Sequence, residues 1–189
     1  MLEPLSNLGV ILLDHNAVYV AFGSNLSTVK FPNPVETVLA AIQKLDACAS
    51  VELIQTAPLY ETEPVPKSDQ KWYVNTVSAY TTSLESEAFM ALCHEVEEVM
   101  VREGSVPNAA RVIDIDLIDF KSEIRGRGAD KSEQLVLPHP SACDRAFVLR
   151  PLADLAPRWC DPVSGQVVSA LISNLPAEQA LGLGIRMLT

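Results

Sequence analysis

The sequence predicts an α+β fold of the ferredoxin-like type, a sandwich of one sheet and two helices in the order β-α-β-β-α-β. Three observations favour this class. Four stretches are rich in alternating or β-branched apolar residues, as expected for strands, and two intervening stretches carry apolar residues at helical spacing. The 189 residues are enough for one domain with a complete core. We therefore expect residues 1–16 to be an N-terminal extension and residues 17–189 to form a single domain.

The first part of the chain supplies a strand, a helix and a second strand. Residues 18–22 form a β-rich run that Gly23 ends with turn chemistry. Residues 35–45 follow a proline-rich start and place their valine, leucine and isoleucine side chains on one helical face. Residues 51–60 are predicted to be the second strand, and residues 61–70 a loop because they contain prolines.

The second part completes the sandwich and continues beyond it. Residues 72–82 alternate well enough to be a strand, and residues 83–99 carry a start signal and an apolar stripe typical of a helix. Residues 112–120 are predicted to be the last strand of the sandwich. Beyond it the sequence predicts an additional C-terminal hairpin with a short strand at residues 134–137. Two helices are predicted at residues 144–155 and 167–175.

Composition limits the classes of partner and the compartment. The net charge of −10 argues against a nucleic-acid binder, which needs a basic face. The four cysteines lie far apart without a CxxC pair, which predicts neither a zinc site nor a disulfide framework and favours a reducing cytoplasm. The apolar run at residues 8–13 is too short to span a membrane. We expect a cytoplasmic monomer or weak homodimer that contacts neither nucleic acid nor membrane.

The strand at residues 112–120 carries two aspartates on one face. Because side chains alternate along a strand, Asp114 and Asp116 point one way while Ile115 and its apolar neighbours point the other. Two carboxylates about 7 Å apart along so apolar a strand repel each other and lose hydration unless a divalent cation lies beside them. Mg²⁺ suits such a pair, since it completes its shell with water and phosphate. The alternative is a strand with one solvated face, and Asp119, near the strand's end, fits that alternative better.

The sequence lacks a glycine-rich phosphate loop of the GxxxxGK[ST] type, and no GxGxxG follows the first strand. If a nucleotide binds, metal ions and arginines must hold its phosphates, since a guanidinium matches phosphate oxygens and stays charged. The candidates near the aspartate strand are Arg102, Arg111, His139 and Arg145. For each arginine the alternative is a solvated surface side chain. For His139, which lies between two prolines, the alternative is a turn held by its own hydrogen bonds.

Six short motifs, in this order, resemble those of the 6-hydroxymethyl-7,8-dihydropterin pyrophosphokinase family of folate synthesis. They read AFGSNL at residues 21–26, LYET at 59–62, YVN at 73–75, RVIDIDL at 111–117, LPHP at 137–140 and RAFVL at 145–149. The resemblance covers residues 17–175, and its Arg-x-x-Asp-x-Asp and Pro-His-Pro segments are specific in combination. It implies a ferredoxin-like fold, in agreement with the predicted element order.

The resemblance further implies transfer of pyrophosphate from ATP to the 6-hydroxymethyl group of the pterin, with release of AMP. Asp114 and Asp116 would hold two Mg²⁺ ions that bridge the ATP phosphates. Catalytic roles would fall to Arg102, Arg111, Asp114 and Asp116, and contacts with ATP to Glu97, Arg102, Arg111, His139 and Arg145. The pterin would contact Thr62, Val65, Tyr73, Asn75, Asp114 and Phe147, with its faces stacked between Tyr73 and Phe147.

One loop departs from the family pattern. The family's loop before the aspartate strand generally carries two arginines two residues apart and often a tryptophan. Here Arg102 fills the first arginine position, Glu103 or Gly104 falls at the second, and Asn108 lies near the tryptophan position. An acidic residue beside a triphosphate is unfavourable. This departure leaves open a module of the same fold that binds ATP or pterin but transfers slowly, and a third possibility is an interaction domain without a small-molecule site.

Overall fold

The computed structural model describes residues 16–104, 112–127 and 135–188. The strands are β1 (Val18–Ser24), β2 (Val51–Thr56), β3 (Tyr60–Thr62), β4 (Tyr73–Thr82), β5 (Asp114–Phe120) and β6 (Ile185–Met187). The α-helices are α1 (Pro34–Asp46), α2 (Ser86–Gly104), α3 (Ala146–Leu155), α4 (Val168–Asn174) and α5 (Ala177–Ala180), with a 3-10 helix at Ala142–Asp144. The expected extension at residues 1–16 lies outside the described residues except for its last residue.

One antiparallel sheet of six strands is built around β4. This strand pairs along most of its length with β1, from Val18 opposite Tyr80 to Ser24 opposite Val74. Its other edge is shared, because β3 pairs with its first residues and β2 with its last. The path β5-β1-β4-β3-β6 completes the sheet. With ten residues, β4 is long enough to hold two partners on one edge.

Helices cover both faces of the sheet, so the molecule has three layers rather than the two that the sequence predicts. Val18 and Val20 of β1 join the core beneath α1 and α2, whereas Tyr19 joins the core beneath α3 and α4. The second core also contains Trp159, which is 2% exposed. Burial on both faces explains why β4 is a nearly continuous buried run instead of an alternating one.

Local signals account for the start of α1. Asn33 has an extended backbone, and its side-chain oxygen accepts a hydrogen bond from the backbone N–H of Glu36 at 2.9 Å. Pro34 follows at the start of the helix, where an N–H would have no partner within the helix. None of the helices in the described part of the chain is long and apolar enough to cross a membrane.

Several elements differ from the sequence-based expectation. The strand predicted at residues 51–60 is split into β2 and β3, with Pro58, which has no N–H for a sheet, between them. The short strand β6 and the helix α5 were not predicted. The expected C-terminal hairpin is represented by one antiparallel bridge between Arg125 and Leu137, and its tip lies outside the described residues.

Candidate active site

A cleft of about 390 Å³ lies where β1 ends and β5 begins. Strand pairing places Gly23 opposite both Asn75 and Asp114 there. Directly paired residues of an antiparallel sheet share a face, and this face is the one that α3 covers. The cleft is lined by the predicted site residues Thr62, Val65, Tyr73, Asn75, Asp114, Asp116, Arg145 and Phe147. Residues far apart in the sequence therefore converge in one place.

The two aspartates share one face of β5, as the alternation predicts. Asp114 is exposed and Asp116 half-buried, while Ile115 between them is 2% exposed in the core. Their partners on β1 are Gly23 and Ala21, which are too small to cover the carboxylates. Two carboxylates on the wall of an open cleft form a donor set that suits Mg²⁺, with room for water and phosphate oxygens.

Arg145 brings positive charge to the same wall. Its Nη1 atom lies 4.0 Å from Asp116 Oδ2. Its guanidinium carbon lies 5.7 Å from the centroid of the Phe147 ring, which holds the side chain over an aromatic face. A planar guanidinium in this position can bind phosphate oxygens beside the carboxylate pair.

His139 lies near this wall and is held in one tautomer. Its Nδ1 atom accepts a hydrogen bond from the backbone N–H of Ser141 at 3.2 Å, so the neutral ring carries its proton on Nε2. Burial lowers the pKa of His139, and although Asp116 raises it, Arg145 and Arg127 lower it further. The neutral ring can donate a hydrogen bond from Nε2.

The opposite wall carries polar groups suited to the edge of a flat ligand. Asn75 Nδ2 donates a hydrogen bond to Thr62 Oγ1 at 2.7 Å, and both residues are buried. The Tyr73 hydroxyl donates to Gln70 Oε1 at 3.1 Å. Val65 is 63% exposed at the cleft. This wall presents the Tyr73 ring, the Asn75 amide and the Thr62 hydroxyl, and the Phe147 ring lies across the cleft from them.

Sequence reasoning missed Gly23, Pro64 and Gln70, which also line the cleft. A Cβ atom on Gly23 would lie only 2.7 Å from Asn75 Oδ1. The AFGSNL motif held a signal for this residue, since a glycine in a strand often marks a close approach of another group. Nothing in the sequence alone singles out Gln70, whose role depends on how the loop folds back toward Tyr73.

Glu97 and Arg102 lie on α2 and line a separate shallow groove with His94, Glu98 and Val101. Glu97 Oε1 accepts a hydrogen bond from the backbone N–H of Ile115 at 2.8 Å, between the two aspartates. Arg102 is exposed, with Nη1 3.9 Å from Glu98 Oε2. Neither residue is part of the cleft lining, and the predicted catalytic Arg111 lies outside the described residues.

Glu103, which the sequence predicts to lie in the loop before the aspartate strand, lies in the last turn of α2 and is neutralised by two lysines. Its carboxylate oxygens lie 2.8 Å from Lys30 Nζ and 3.0 Å from Lys44 Nζ. Hydrogen bonds from these lysines lower the pKa of Glu103. The carboxylate therefore connects the end of α2 to α1 and the segment before it.

Asp119 is not solvated, contrary to the interpretation favoured from the sequence. It is 1% exposed, and its carboxylate accepts hydrogen bonds from Trp159 Nε1 at 2.8 Å and from the Ser122 N–H at 2.9 Å. The residue pairing shifts between Tyr19 and Val20 of β1, which disturbs the simple alternation along this part of β5. Asp119 consequently connects β5 to the second core.

Two comparisons of sequence bear on these residues. The profile of the 7,8-dihydro-6-hydroxymethylpterin-pyrophosphokinase (HPPK) family matches residues 19–157. The chain is 31% identical over 163 residues to Folic acid synthesis protein fol1 of Pneumocystis carinii, covering 86% of this chain and 20% of that protein. It is 32% identical over 157 residues to 2-amino-4-hydroxy-6-hydroxymethyldihydropteridine pyrophosphokinase of Bacillus subtilis, covering 82% of this chain and 85% of that protein. The chain thus spans about a fifth of the fol1 protein and most of the bacterial one.

A solved structure shares the fold. The HPPK-DHPS of Plasmodium falciparum with SDX-DHP superposes with a TM-score of 0.64 at 14% identity, covering 92% of this chain and 46% of that one. At this identity the likeness concerns the fold alone. The family profile spans most of the chain, and the bacterial relative is matched over most of its own length. This chain belongs to the 7,8-dihydro-6-hydroxymethylpterin-pyrophosphokinase family.

Proposed function

We propose that this chain transfers pyrophosphate from ATP to 6-hydroxymethyl-7,8-dihydropterin, giving AMP and the pterin diphosphate in folate synthesis. The observation that carries the proposal is the convergence of the pair Asp114 and Asp116 with the pair Asn75 and Thr62 in one cleft. One pair suits a metal-bound phosphate chain and the other the edge of a heterocycle. The name of the Bacillus subtilis relative supports the same reaction.

The pterin would bind between the aromatic walls. A flat, polar heterocycle needs ring faces to stack on and hydrogen-bonding groups at its edge. Tyr73 and Phe147 supply the faces, and Val65 closes the loop side of the cleft. Because one Nδ2 hydrogen of Asn75 is donated to Thr62, the second Nδ2 hydrogen, the Asn75 Oδ1 atom and the Thr62 hydroxyl hydrogen are the groups left to recognise the pterin edge.

The phosphates of ATP would lie at the other wall. Asp114 and Asp116 would hold two Mg²⁺ ions, and Asp114 would also face the pterin. Bound there, Mg²⁺ supplies neutralisation of phosphate charge and alignment of the reacting groups. Arg145 and the Nε2–H of His139 would bind phosphate oxygens, supported by their positions near Asp116.

The adenosine part of ATP would extend toward α2. Glu97 and Arg102 line one groove on that helix, which supports their assignment to ATP. We assign a catalytic contact with the phosphates to Arg102 and to Arg111, the latter on the resemblance alone. Since two lysines neutralise Glu103, its charge does not weigh against phosphate binding as its position in the sequence suggests.

In the reaction the pterin hydroxyl oxygen forms a bond to the β-phosphorus of ATP. The bond from that phosphorus to the α,β-bridging oxygen breaks, AMP leaves with the electron pair, and the hydroxyl proton is released. Little covalent chemistry is left to the protein, so positioning and charge stabilisation account for most of catalysis. The groups assigned to the pterin and those assigned to the phosphates would provide these in one cleft.

The proposal is tested by AMP formation from ATP, Mg²⁺ and the hydroxymethyl dihydropterin, with Asp114→Asn and Asp116→Asn as variants. Each variant is expected to lower turnover by at least about a hundredfold, since it removes a ligand charge without altering the core. Asp144→Asn is the matched control, because Asp144 is exposed and does not line the cleft. Absence of AMP from the unaltered protein, or near-normal turnover of either variant, would contradict the proposal.

Three finer assignments accompany this function. We infer that β1, α1, β2, β4, α2 and β5 follow the ferredoxin-like arrangement, supported by the sheet order β5-β1-β4 with β2 on β4. A cytoplasmic location is supported by the four cysteines, which are free thiols. We further propose that the protein acts as a monomer or weak homodimer, since one chain supplies both walls of the cleft.

A further inference from the structure

The chain after α4 forms a segment, residues 177–187, that contains α5 and β6. It borders a smaller cavity of about 130 Å³ behind the active-site cleft. The two cavities share the wall residues Thr62, Glu63, Pro64, Val65 and Phe147. The segment thus lies directly behind both walls between which we place the pterin.

Contacts on one side hold the start of α3. Gln179 Oε1 accepts a hydrogen bond from the backbone N–H of Ala146 at 3.3 Å. Ala146 is the first residue of α3, so this N–H has no partner within the helix, and it lies between Arg145 and Phe147. Because a backbone N–H can only donate, the contact fixes which end of the Gln179 amide faces the helix.

A second contact on this side comes from further along α3. The Arg150 guanidinium donates hydrogen bonds to the carbonyl oxygens of Gln179 and Ala180 at 3.0 and 2.7 Å. These are the last residues of α5. The segment is therefore fixed to α3 at two points, one helical turn apart.

Contacts on the other side hold the loop at residues 63–71, between β3 and β4, which forms the opposite wall together with Thr62. β6 pairs with β3, with Ile185 opposite Thr62, and the Glu63 N–H donates to the Gly184 carbonyl oxygen at 2.8 Å. Gly184 has φ +73°, and a Cβ atom there would lie 3.0 Å from Glu63 Oε2. A side chain at this position would be strained and would push the loop away.

Arg186 extends these contacts to the far end of the loop. Its Nε atom donates to Glu61 Oε2 at 2.6 Å, before the loop begins. Its guanidinium carbon lies 5.4 Å from the centroid of the Trp72 ring, directly before Tyr73. One arginine therefore contacts the residues that flank the loop at both ends.

We propose that residues 177–187 act as a clamp that sets the distance between Phe147 and the opposite wall at Thr62 and Val65, and so determines the affinity for the pterin. This inference rests on the proposed function, since it takes the pterin to lie between these walls. Gln179 is a positioning residue that acts through Ala146. A ring bound between two walls needs their spacing fixed beforehand, because ordering them on binding would weaken affinity.

The test compares Gln179→Met with Gln179→Glu. Methionine keeps the length of the side chain but removes the acceptor for the Ala146 N–H, whereas a carboxylate restores it. Gln179→Met is expected to raise KM for the hydroxymethyl dihydropterin about five- to tenfold. Both kcat and KM for ATP should change by less than about twofold, and Gln179→Glu should return KM for the pterin close to its original value.

Binding of unsubstituted pterin, which lacks the reacting hydroxyl, provides a second readout by fluorescence titration. Gln179→Met and Arg186→Ala should both weaken it. The matched control is Gln166→Met, because Gln166 is exposed and bonds to Asn174 at 2.8 Å, away from the cleft. It should leave pterin binding unchanged.

The outcomes separate the clamp from the proposed function. If the unaltered protein binds pterin and forms AMP but Gln179→Met does the same with unchanged constants, the clamp alone is wrong. Equal increases in both KM values, with no rescue by glutamate, would also overturn it, since the segment would then only support the fold. If the unaltered protein neither binds pterin nor forms AMP, the proposed function fails and the clamp with it.

Discussion

At the residue scale, the close approach of Gly23 and Asn75 determines the shape of the wall to which we assign the pterin edge. A Cβ atom on Gly23 would lie 2.7 Å from Asn75 Oδ1, well inside van der Waals contact. Asn75 cannot move away without losing its 2.7 Å hydrogen bond to the Thr62 hydroxyl. The glycine is therefore required by the close approach of a side chain.

We predict that Gly23→Ala disturbs recognition of the pterin rather than of ATP. The added methyl group should displace Asn75 and break its bond to Thr62, raising KM for the pterin about tenfold. Steady-state kinetics with each substrate varied in turn would measure this.

Gly165→Ala is the control for general loss of stability, because its φ of +68° strains an alanine although the added methyl group meets no atom within 4 Å and does not line the cleft. It should lower Tm and leave KM for the pterin unchanged. An equal rise in both KM values for Gly23→Ala would point to general damage of the sheet. An unchanged KM for the pterin would show that Asn75 does not read its edge.

At the element scale, Asp119 and Trp159 join β5 to the second core. Burial raises the pKa of Asp119, although the hydrogen bonds from Trp159 and Ser122 oppose the shift. In the unfolded chain this carboxyl ionises near its ordinary pKa of about 3.9. Between that value and the folded pKa, the folded state holds more protons, so the free energy of unfolding falls as pH rises.

The stabilisation from protonated Asp119 is thus complete below the unfolded pKa and lost as pH rises through the folded pKa. We predict that Asp119→Asn, which cannot ionise, lacks this contribution. Relative to the unaltered protein, its free energy of unfolding in urea denaturation should increase as pH rises from about 4 through the folded pKa of Asp119. Asp144→Asn, an exposed carboxylate, serves as control. Parallel pH profiles for Asp119→Asn and the unaltered protein would contradict this prediction.

The elements that the sequence predicts correctly are those in which apolar residues recur at the regular spacing of a strand or a helix. The alternation in β5 and the apolar stripe of α1 depend on neighbouring residues only, so the sequence predicts them well. β6 has three residues and exists because the edge of β3 is available to it. The second helical layer likewise depends on which face of the sheet α3 covers. Such distant contacts leave no periodic signal in the sequence.

At the scale of the whole molecule, the site depends on that second layer. The aspartate pair was predictable from spacing, and the family motifs indicated Asn75, Phe147 and Arg145 as well. Their common placement on the face beneath α3 was not predictable, because it requires the strand pairing and the helix position together. The charge of −10 also gave no sign that Lys30 and Lys44 are occupied by Glu103 rather than available to phosphate.

The proposed function gives the pterin and the ATP phosphates different contacts in one cleft, so their effects on thermal stability should be separable. A ligand at about a hundred times its Kd stabilises the folded state by about 2.7 kcal/mol. For a chain of this size that corresponds to a rise in Tm of about 5–10 °C. We expect such a rise with pterin, and another with Mg²⁺ and a non-hydrolysable ATP analogue.

Variants of each wall should lose only one of these rises. Asp116→Asn should keep the rise in Tm with pterin and lose most of the rise with Mg²⁺ and the ATP analogue, since it weakens the metal-binding wall. Asn75→Ala should show the reverse, because it removes the group that reads the pterin edge while leaving β5 unchanged. Thermal scans of both variants with each ligand alone would measure this. If each variant lost both rises, the two sets of contacts would not act independently, and the assignment of Asn75 to the pterin and Asp116 to the metal-bound phosphates would be wrong.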